Sequence, residues 1–396
     1  MLHTCNCEIC DVELWQRFDT VRSFRSFNKN MNFRLGELFC GPGGIGLAAT
    51  SAEVEADGTI YNISHAWATD YDKDTCETYR NNICPDKKGT VIRRDIRKLR
   101  MQTLLDISPI DGLSFGFPCN DFSVVGEQKG IEGVFGPLYA YGVKALNFFK
   151  PHWFFAENVG GFRNSDDGET FRAILDRTTA AGYNVVPHLY KFDKYGVPQK
   201  RHRIIIVGIR KDLGLNFKVP SPEMFKDIDI SCKTAITVPP IPADAPNNEL
   251  MKQSANVVDR LRHIKPGQNA FTATLPEHLR LNVQGAFISQ IYRKLDPDKP
   301  SYTVTGSGGG GTYVYHWEEN RALTNRERAR LQTFPDDFVF SGSTQSVRKQ
   351  IGMAVPPKGA QVIFEALLKT FANVEYPSVP QNISYQEQFV FNQKAA

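Results

Sequence analysis

From Phe33 onward the chain alternates short apolar runs, turn residues and amphipathic stretches, the rhythm of strand, turn and helix. Residues 34–39 form the first apolar run. The Gly41-Pro42-Gly43-Gly44-Ile45-Gly46 that follows predicts a tight turn opening a helix. A second run, 65–69, ends at Asp70-Tyr71-Asp72, with helical spacing from about 74 to 81. The third, 90–93, ends at Asp95-Ile96. The fourth, 111–115, begins with a carboxylate and leaves the sheet at Gly116. The fifth, 152–156, ends at Glu157-Asn158-Val159. A helix over 169–181 and strands over 184–192 and 203–209 complete the series. This order predicts a Rossmann-like α/β domain, its mostly parallel sheet covered by helices on both faces.

After Arg210 the pattern dissolves. Pro220, Pro222, Pro239, Pro240, Pro242 and Pro246 punctuate an irregular insert that runs to about Tyr315. Within it, Gly306 and the glycines 308–311 read either as a linker or as a loop that approaches a ligand closely. Helical sequence returns at 325–332, capped by Thr324, and at 357–371. The domain division expected is a leader at 1–32, a main domain at 33–210 completed by 321–371, a second, smaller domain at 211–320, and a polar tail at 372–396 that adds little. In the leader, Trp15, Phe18, Val21, Phe24 and Phe27 recur every third residue, as in a helix packed on the main domain. Cys5, Cys7 and Cys10 cluster near His3, but their spacing lacks the paired C-x-x-C of common zinc modules, so no metal is expected.

Composition narrows the class only slightly. The 396 residues carry a formal net charge of +4, which permits a polyanionic partner without arguing for one. No apolar run reaches membrane-spanning length and no signal-peptide pattern opens the chain. Eight cysteines scattered through an α/β pattern suit free thiols in a reducing cytoplasm.

The candidate chemistry lies at the ends of the predicted strands, where open α/β sheets bind ligands. Cys119, in Gly116-Phe117-Pro118-Cys119, is either a nucleophile or a buried space-filling thiol. Gly126, Gly130, Gly133 and Gly136 after it suggest a loop free to open and close. Gly41-x-Gly43-x-x-Gly46 with Asp70 matches the dinucleotide fingerprint, so a nicotinamide dehydrogenase is one reading. The same residues suit another adenosine ligand, with Asp70 on ribose, Asp95 on the adenine amino group, and Phe39 and Tyr71 flanking the ring. Asp70 and Asp95 serve equally well as helix N-caps.

Taken in order, the motifs resemble those of the cytosine-C5 DNA methyltransferases from Phe33 to about Phe371. They are Phe39-x-Gly41-x-Gly43-Gly44, Pro118-Cys119, Glu157-Asn158-Val159, Gln199-x-Arg201-x-Arg203, Arg321-Ala322-Leu323-Thr324-Asn325-Arg326-Glu327 and Gln350-Ile351-Gly352. The resemblance implies S-adenosylmethionine as cofactor, held by Phe39, Gly41, Gly43, Gly44, Asp70, Tyr71, Asp95, Ile96, Pro118 and Val355. It also implies that Cys119 adds to C6 of a flipped-out cytosine while Glu157 serves N3. Arg203 would hold O2, and Arg201 would steady Glu157 or a phosphate. The insert corresponds to a target-recognition domain on double-stranded DNA. Ser123, Gln199, Arg260, Arg262 and Arg293 are its candidate DNA contacts, with Lys265, Arg280 and Lys294 in reserve. A monomeric bacterial enzyme, the modification half of a restriction system, is the expectation.

Two departures stand out. Met353 replaces the family's usual Asn at the methionine end of the cofactor, and Asn120 replaces the usual Gln after the cysteine. A tRNA cytosine-C5 methyltransferase is the alternative, but its Cys-Phe-Thr signature is missing, since Lys233 and Thr234 follow Cys232. Met353 also leaves room for a catalytically weak DNA-binding relative. A dehydrogenase would leave Cys119, Glu157 and Arg203 unexplained.

Overall fold

The computed structural model of the chain describes residues 29–116, 138–159, 169–281, 291–306 and 310–383. Pro118, Cys119, Ser123 and residues 1–28, with the leader's three cysteines, lie outside the described residues. The first strand, β1 (Lys29–Leu38), starts earlier than the apolar run suggests. It is followed by β2 (Glu53–Ala56), β3 (Thr59–Asp70), β4 (Val91–Arg93), β5 (Gly112–Gly116), β6 (Trp153–Val159) and β7 (Tyr183–Lys191). After the two-residue β8 (Gln199–Lys200) comes β9 (His202–Arg210).

The strand order is β2-β3-β1-β5-β6-β9-β7, with β4 beside the second half of β3. Pairs β1/β3, β1/β5, β3/β4 and β5/β6 are parallel. Strand β9 runs antiparallel to both its neighbours, and β2 folds back on β3 through Asp57 and Gly58, both at positive φ. The sheet is therefore mixed at its edges and parallel at its centre. Because β3 and β5 flank β1 on opposite sides, the chain leaves β1 in two directions. The crevice above that switch point is where this architecture places ligands.

Alternation along the central strands feeds two cores. Phe154 and Phe155 are successive and fully buried, and they point to opposite faces. Phe155 joins Leu35 and Val207 beneath α1 (Gly44–Thr50) and a C-terminal helix, Pro357–Phe371. Phe154 joins Leu38, Leu113 and Phe115 beneath the other layer, α3 (Met101–Ile107), α4 (Tyr139–Phe149) and α5 (Glu169–Ala180). Helix α2 (Lys73–Asn82) lies over the β3–β4 edge.

The insert holds short elements around its own cluster of Leu261, Ile264, Leu275, Tyr292 and Tyr315. Its helices are α6 (Cys232–Thr237) and α7 (Ala255–Arg262). Beyond it, α8 (Asn325–Leu331) begins with the reciprocal capping box of Thr324 and Glu327, an arrangement that adds about 1 kcal/mol. It is followed by α9 (Thr344–Met353) and α10 (Pro357–Phe371). The expectation that the tail adds little is corrected for its first residues. Ser378–Val379 pairs with Val219–Pro220, Asn382 bonds His188 and the Leu189 backbone, and Ile383 is buried. Among the described residues no helix is long and apolar enough to cross a membrane.

Candidate active site

The glycine turn after β1 is built from backbone geometry that few side chains tolerate. Gly41 and Gly43 have φ of 55° and 100°. A Cβ on Gly44 would lie 2.4 Å from the Val355 carbonyl, so the C-terminal segment is seated directly on the first turn of α1. Asp70 completes the turn. One of its oxygens accepts from Gly41 N–H at 3.1 Å and the other from Asp72 N–H at 3.0 Å. Burial raises the Asp70 carboxyl above its ordinary range, against the pull of those two amides. The alternative reading of Asp70 as a helix cap is not realised: Asp72 caps α2 by accepting from Thr75 N–H.

For Asp95 the capping role is present. It accepts from Arg97 N–H and pairs with the Arg97 guanidinium at 2.6 Å, above the buried Ile96. Tyr71 stands on the same rim with its side chain 65% exposed, an aromatic face without a cover. Phe39, at φ 55°, is half-buried just past the end of β1, and Val355 is buried against α1. Gly41, Gly43, Gly44, Asp70 and Val355 thus form one connected cradle above β1 and β3.

One strand over, Glu157 lies opposite Gly116 across the β5/β6 pair. A Cβ at Gly116 would sit 3.1 Å from Glu157 Oε2, so the bare glycine leaves room for the carboxylate where β5 departs toward Cys119. Arg203 reaches Glu157 from β9, Nε to Oε1 2.8 Å, with the two side chains only 11% and 13% exposed. Burial raises the Glu157 carboxyl, and the guanidiniums of Arg203 and Arg201 hold that rise back. A carboxyl so poised holds its proton more tightly than an exposed one.

Several expectations about arginines and Gln199 are corrected. Arg201 does not bond Glu157. It is fully buried, its Nη atoms donate to Val304 O at 3.1 Å and Gly352 O at 2.9 Å, and it touches Glu157 only through its field. Gln199 is also fully buried, bonded to Leu331 O, Gln332 Oε1 and Val304 N–H, so it cannot reach a DNA groove. These two residues clamp the insert's return strand to the main sheet. Arg260 donates to Leu279 O and lies 4.6 Å from the Tyr292 ring, and Arg293 lies 4.8 Å from the Tyr302 ring. Arg262 is exposed, paired loosely with Asp259. Cys232 is buried in α6, and burial pushes its thiol up to about 12, so it is no substrate contact.

Glu37 escaped the motif reading. It is 1% exposed at the C-terminal end of β1, paired across from Ser114, and among the described residues neither carboxyl oxygen has a hydrogen-bond partner. Burial, reinforced by the charge of Asp70, pushes it up to about 8. The signal available was a carboxylate inside the apolar run Leu35-Gly36-Glu37-Leu38-Phe39.

Comparison with known proteins agrees with this layout. The family model for C-5 cytosine-specific DNA methylases matches residues 33–369. The Type II methyltransferase M.BbvI of Brevibacillus brevis is 56% identical over 355 residues, covering 88% of this chain and 94% of that protein. M.NgoFVII of Neisseria gonorrhoeae is 38% identical over 364 residues, 90% and 92% of the two chains. In fold, a prophage-encoded Escherichia coli protein described as a DNA modification methyltransferase superposes with a TM-score of 0.63 at 21% identity, covering 86% of this chain and 99% of that one. Spodoptera frugiperda DNMT2 gives 0.58 at 17%, with the same coverage. With the family matched across the sheet, the cradle and the Glu157–Arg203 pair, the chain belongs to the C-5 cytosine-specific DNA methylases.

Proposed function

We propose that the chain methylates C5 of a cytosine turned out of double-stranded DNA, using Cys119 as nucleophile, and that it acts as a monomeric cytoplasmic modification enzyme of a restriction system. The observation that carries the catalytic part is the half-protected Glu157–Arg203 pair opposite Gly116, on the strand that leads to Cys119.

The Cys119 thiolate adds to C6 of the ring, and a proton held by Glu157 meets the electron density that arrives at N3. The C4–C5–C6 unit then has enamine character, with C5 as its nucleophilic carbon. Arg203, whose Nε is bound to Glu157 and whose Nη1 donates to the His202 carbonyl, has Nη2 left for O2. After C5 is substituted, loss of the C5 proton to a base expels the thiolate and restores the double bond. Stacked bases hide C6, so the cytosine must leave the helix.

The cradle residues suit S-adenosylmethionine. Asp70 retains a free lone pair on each oxygen for ribose hydroxyls, Tyr71 offers an uncovered ring for adenine, and the glycine turn and Val355 line the approach to the sheet. When bound, that cofactor supplies the electrophilic methyl group. Both Asp95 oxygens accept from Arg97, so the adenine amino group, beside Ile96, would use a remaining lone pair of that carboxylate.

Bisulfite sequencing of DNA from cells that express the chain tests the reading. Protected cytosines within one short recurring sequence support it. Fully converted DNA alongside methylated tRNA favours the RNA alternative instead.

A further inference from the structure

Three arginines near the short strand Ser301–Tyr302, Arg293, Arg328 and Arg348, have neither a counter-charge nor a full set of carbonyl partners. Arg321 pairs with Glu319 and Glu327, Arg330 pairs with Asp336, and Arg326 spends its nitrogens on three carbonyls. Arg328 on α8 and Arg348 on α9 are equally enclosed, at 3% and 7% exposure, yet the Nε of each has no hydrogen-bond partner. Arg328 Nη2 donates to Thr305 O at 2.5 Å, and the Arg348 guanidinium lies 4.7 Å from the Tyr313 ring. Arg293 joins them through Tyr302, its guanidinium over the ring and its carbonyl accepting from the Tyr302 hydroxyl at 2.9 Å. Among the described residues none of these three forms an ion pair. Burial weakens the Arg328 charge, and the repulsion of Arg348 weakens it further.

Two buried like charges with orphaned donors are costly unless an anion completes them. The place is informative. Thr305 follows Val304, which Gln199 and Arg201 fasten beside the strand that carries Arg203. Gly306 is seated so closely on α9 that a Cβ there would lie 2.6 Å from Lys349 O. The segment 199–203 thus anchors both this loop, through Gln199 and Arg201, and Glu157, through Arg203.

We propose that Arg328 and Arg348 form a seat for one backbone phosphate of the target strand beside the extruded cytosine, with Arg293, Tyr302 and Tyr313 as its walls. The proposal rests on duplex DNA as substrate and on the cytosine facing Glu157. The phosphate carries the charge that the cluster lacks, and it fixes the strand's register without reading sequence.

The test uses the full chain and a duplex carrying the methylated sequence found by bisulfite mapping. Affinity is measured against salt concentration, and again with single methylphosphonates walked along the target strand. The variants are Arg328→Gln, Arg348→Gln and the charge-keeping Arg348→Lys. The seat predicts a log Kd against log salt slope shallower by about 0.9 in each Gln variant, and largely restored by Lys. It also predicts one neutralised phosphate near the target that weakens wild-type binding by about 10- to 100-fold yet costs Arg348→Gln nothing more. Unchanged slopes and an unchanged methylphosphonate profile, with only a lower Tm, would overturn the seat and leave packing as the arginines' role. Wild-type chain that ignores every methylphosphonate while still methylating the duplex overturns the seat alone. Failure to bind or methylate any duplex overturns the substrate reading beneath it as well.

Discussion

Arg203 Nε stands 2.8 Å from Glu157 Oε1, reaching diagonally across the antiparallel β6/β9 pair, in which Glu157 itself faces Ile205. The contact tunes the acidity of the carboxyl opposite Gly116, on the strand leading to Cys119. Burial favours its protonated form and the cation opposes that. Removing the cation shifts the balance one way only. In Arg203→Met the Glu157 carboxyl rises further, so the descending limb of kcat/KM against pH moves to more alkaline pH, while the maximum falls by about 100-fold or more. A limb that stays in place would mean that Glu157 does not act as the proton-bearing group.

Gly116→Ala places a methyl 3.1 Å from Glu157 Oε2, tighter than an ordinary contact. Gly116 is not at positive φ, so the backbone accepts alanine and the strain falls on the carboxylate. Turnover should drop by about 10- to 100-fold with DNA affinity nearly unchanged, as expected for a small displacement of a catalytic group. Equal losses in kcat and in affinity would place Glu157 in binding rather than chemistry.

Glu37 tests the electrostatics of the sheet separately from catalysis. Burial pushes its folded-state pKa up to about 8, well above the ordinary 4.5 of an exposed glutamate. The folded protein therefore holds a proton that the unfolded chain has released, and stability is lost as pH rises through this window. The loss is about 1.4 kcal/mol per pH unit. Glu37→Gln removes that dependence, so thermal denaturation should show the variant gaining on wild type from pH 5 to pH 8. Parallel pH profiles for the two proteins would show that Glu37 has found a partner.

Met353 is 54% exposed at the end of α9, so exchanging it costs little packing. Met353→Asn should tighten S-adenosylmethionine binding by about fivefold in calorimetry, the worth of one added hydrogen bond. Unchanged affinity would place residue 353 away from the cofactor.

How far the sequence was legible follows the range of the physics involved. Local signals were readable: the apolar runs that became β1 and β3 to β7, the Thr324–Glu327 capping box, and the Pro357 start of α10. The Asp57-Gly58 hairpin carries a local signal too, since such a dipeptide between alternating residues favours a tight turn. Long-range partners were not. Nothing near Arg201 announces that its bonds go to residues 304 and 352, and nothing near Gln199 announces Gln332. Their motif suggested a shared strand face, yet tertiary packing drew only Arg203 to Glu157. The tail's polar composition likewise concealed Asn382, whose value lies in capping His188 and Leu189 at the sheet edge.

The central claim is a transient bond between the Cys119 sulfur and cytosine C6, and 5-fluorocytosine tests it most directly. Fluorine at C5 cannot leave as a proton does, so the adduct persists once the methyl group has been added. Duplex DNA carrying 5-fluorocytosine at the target, incubated with the full chain and S-adenosylmethionine, should yield a denaturant-stable complex. Its proteolytic digest should place the DNA on the peptide containing Cys119, and Cys119→Ser should give none while binding the cofactor with nearly wild-type affinity. An adduct on a different residue, or undiminished methylation by Cys119→Ser, would contradict the mechanism.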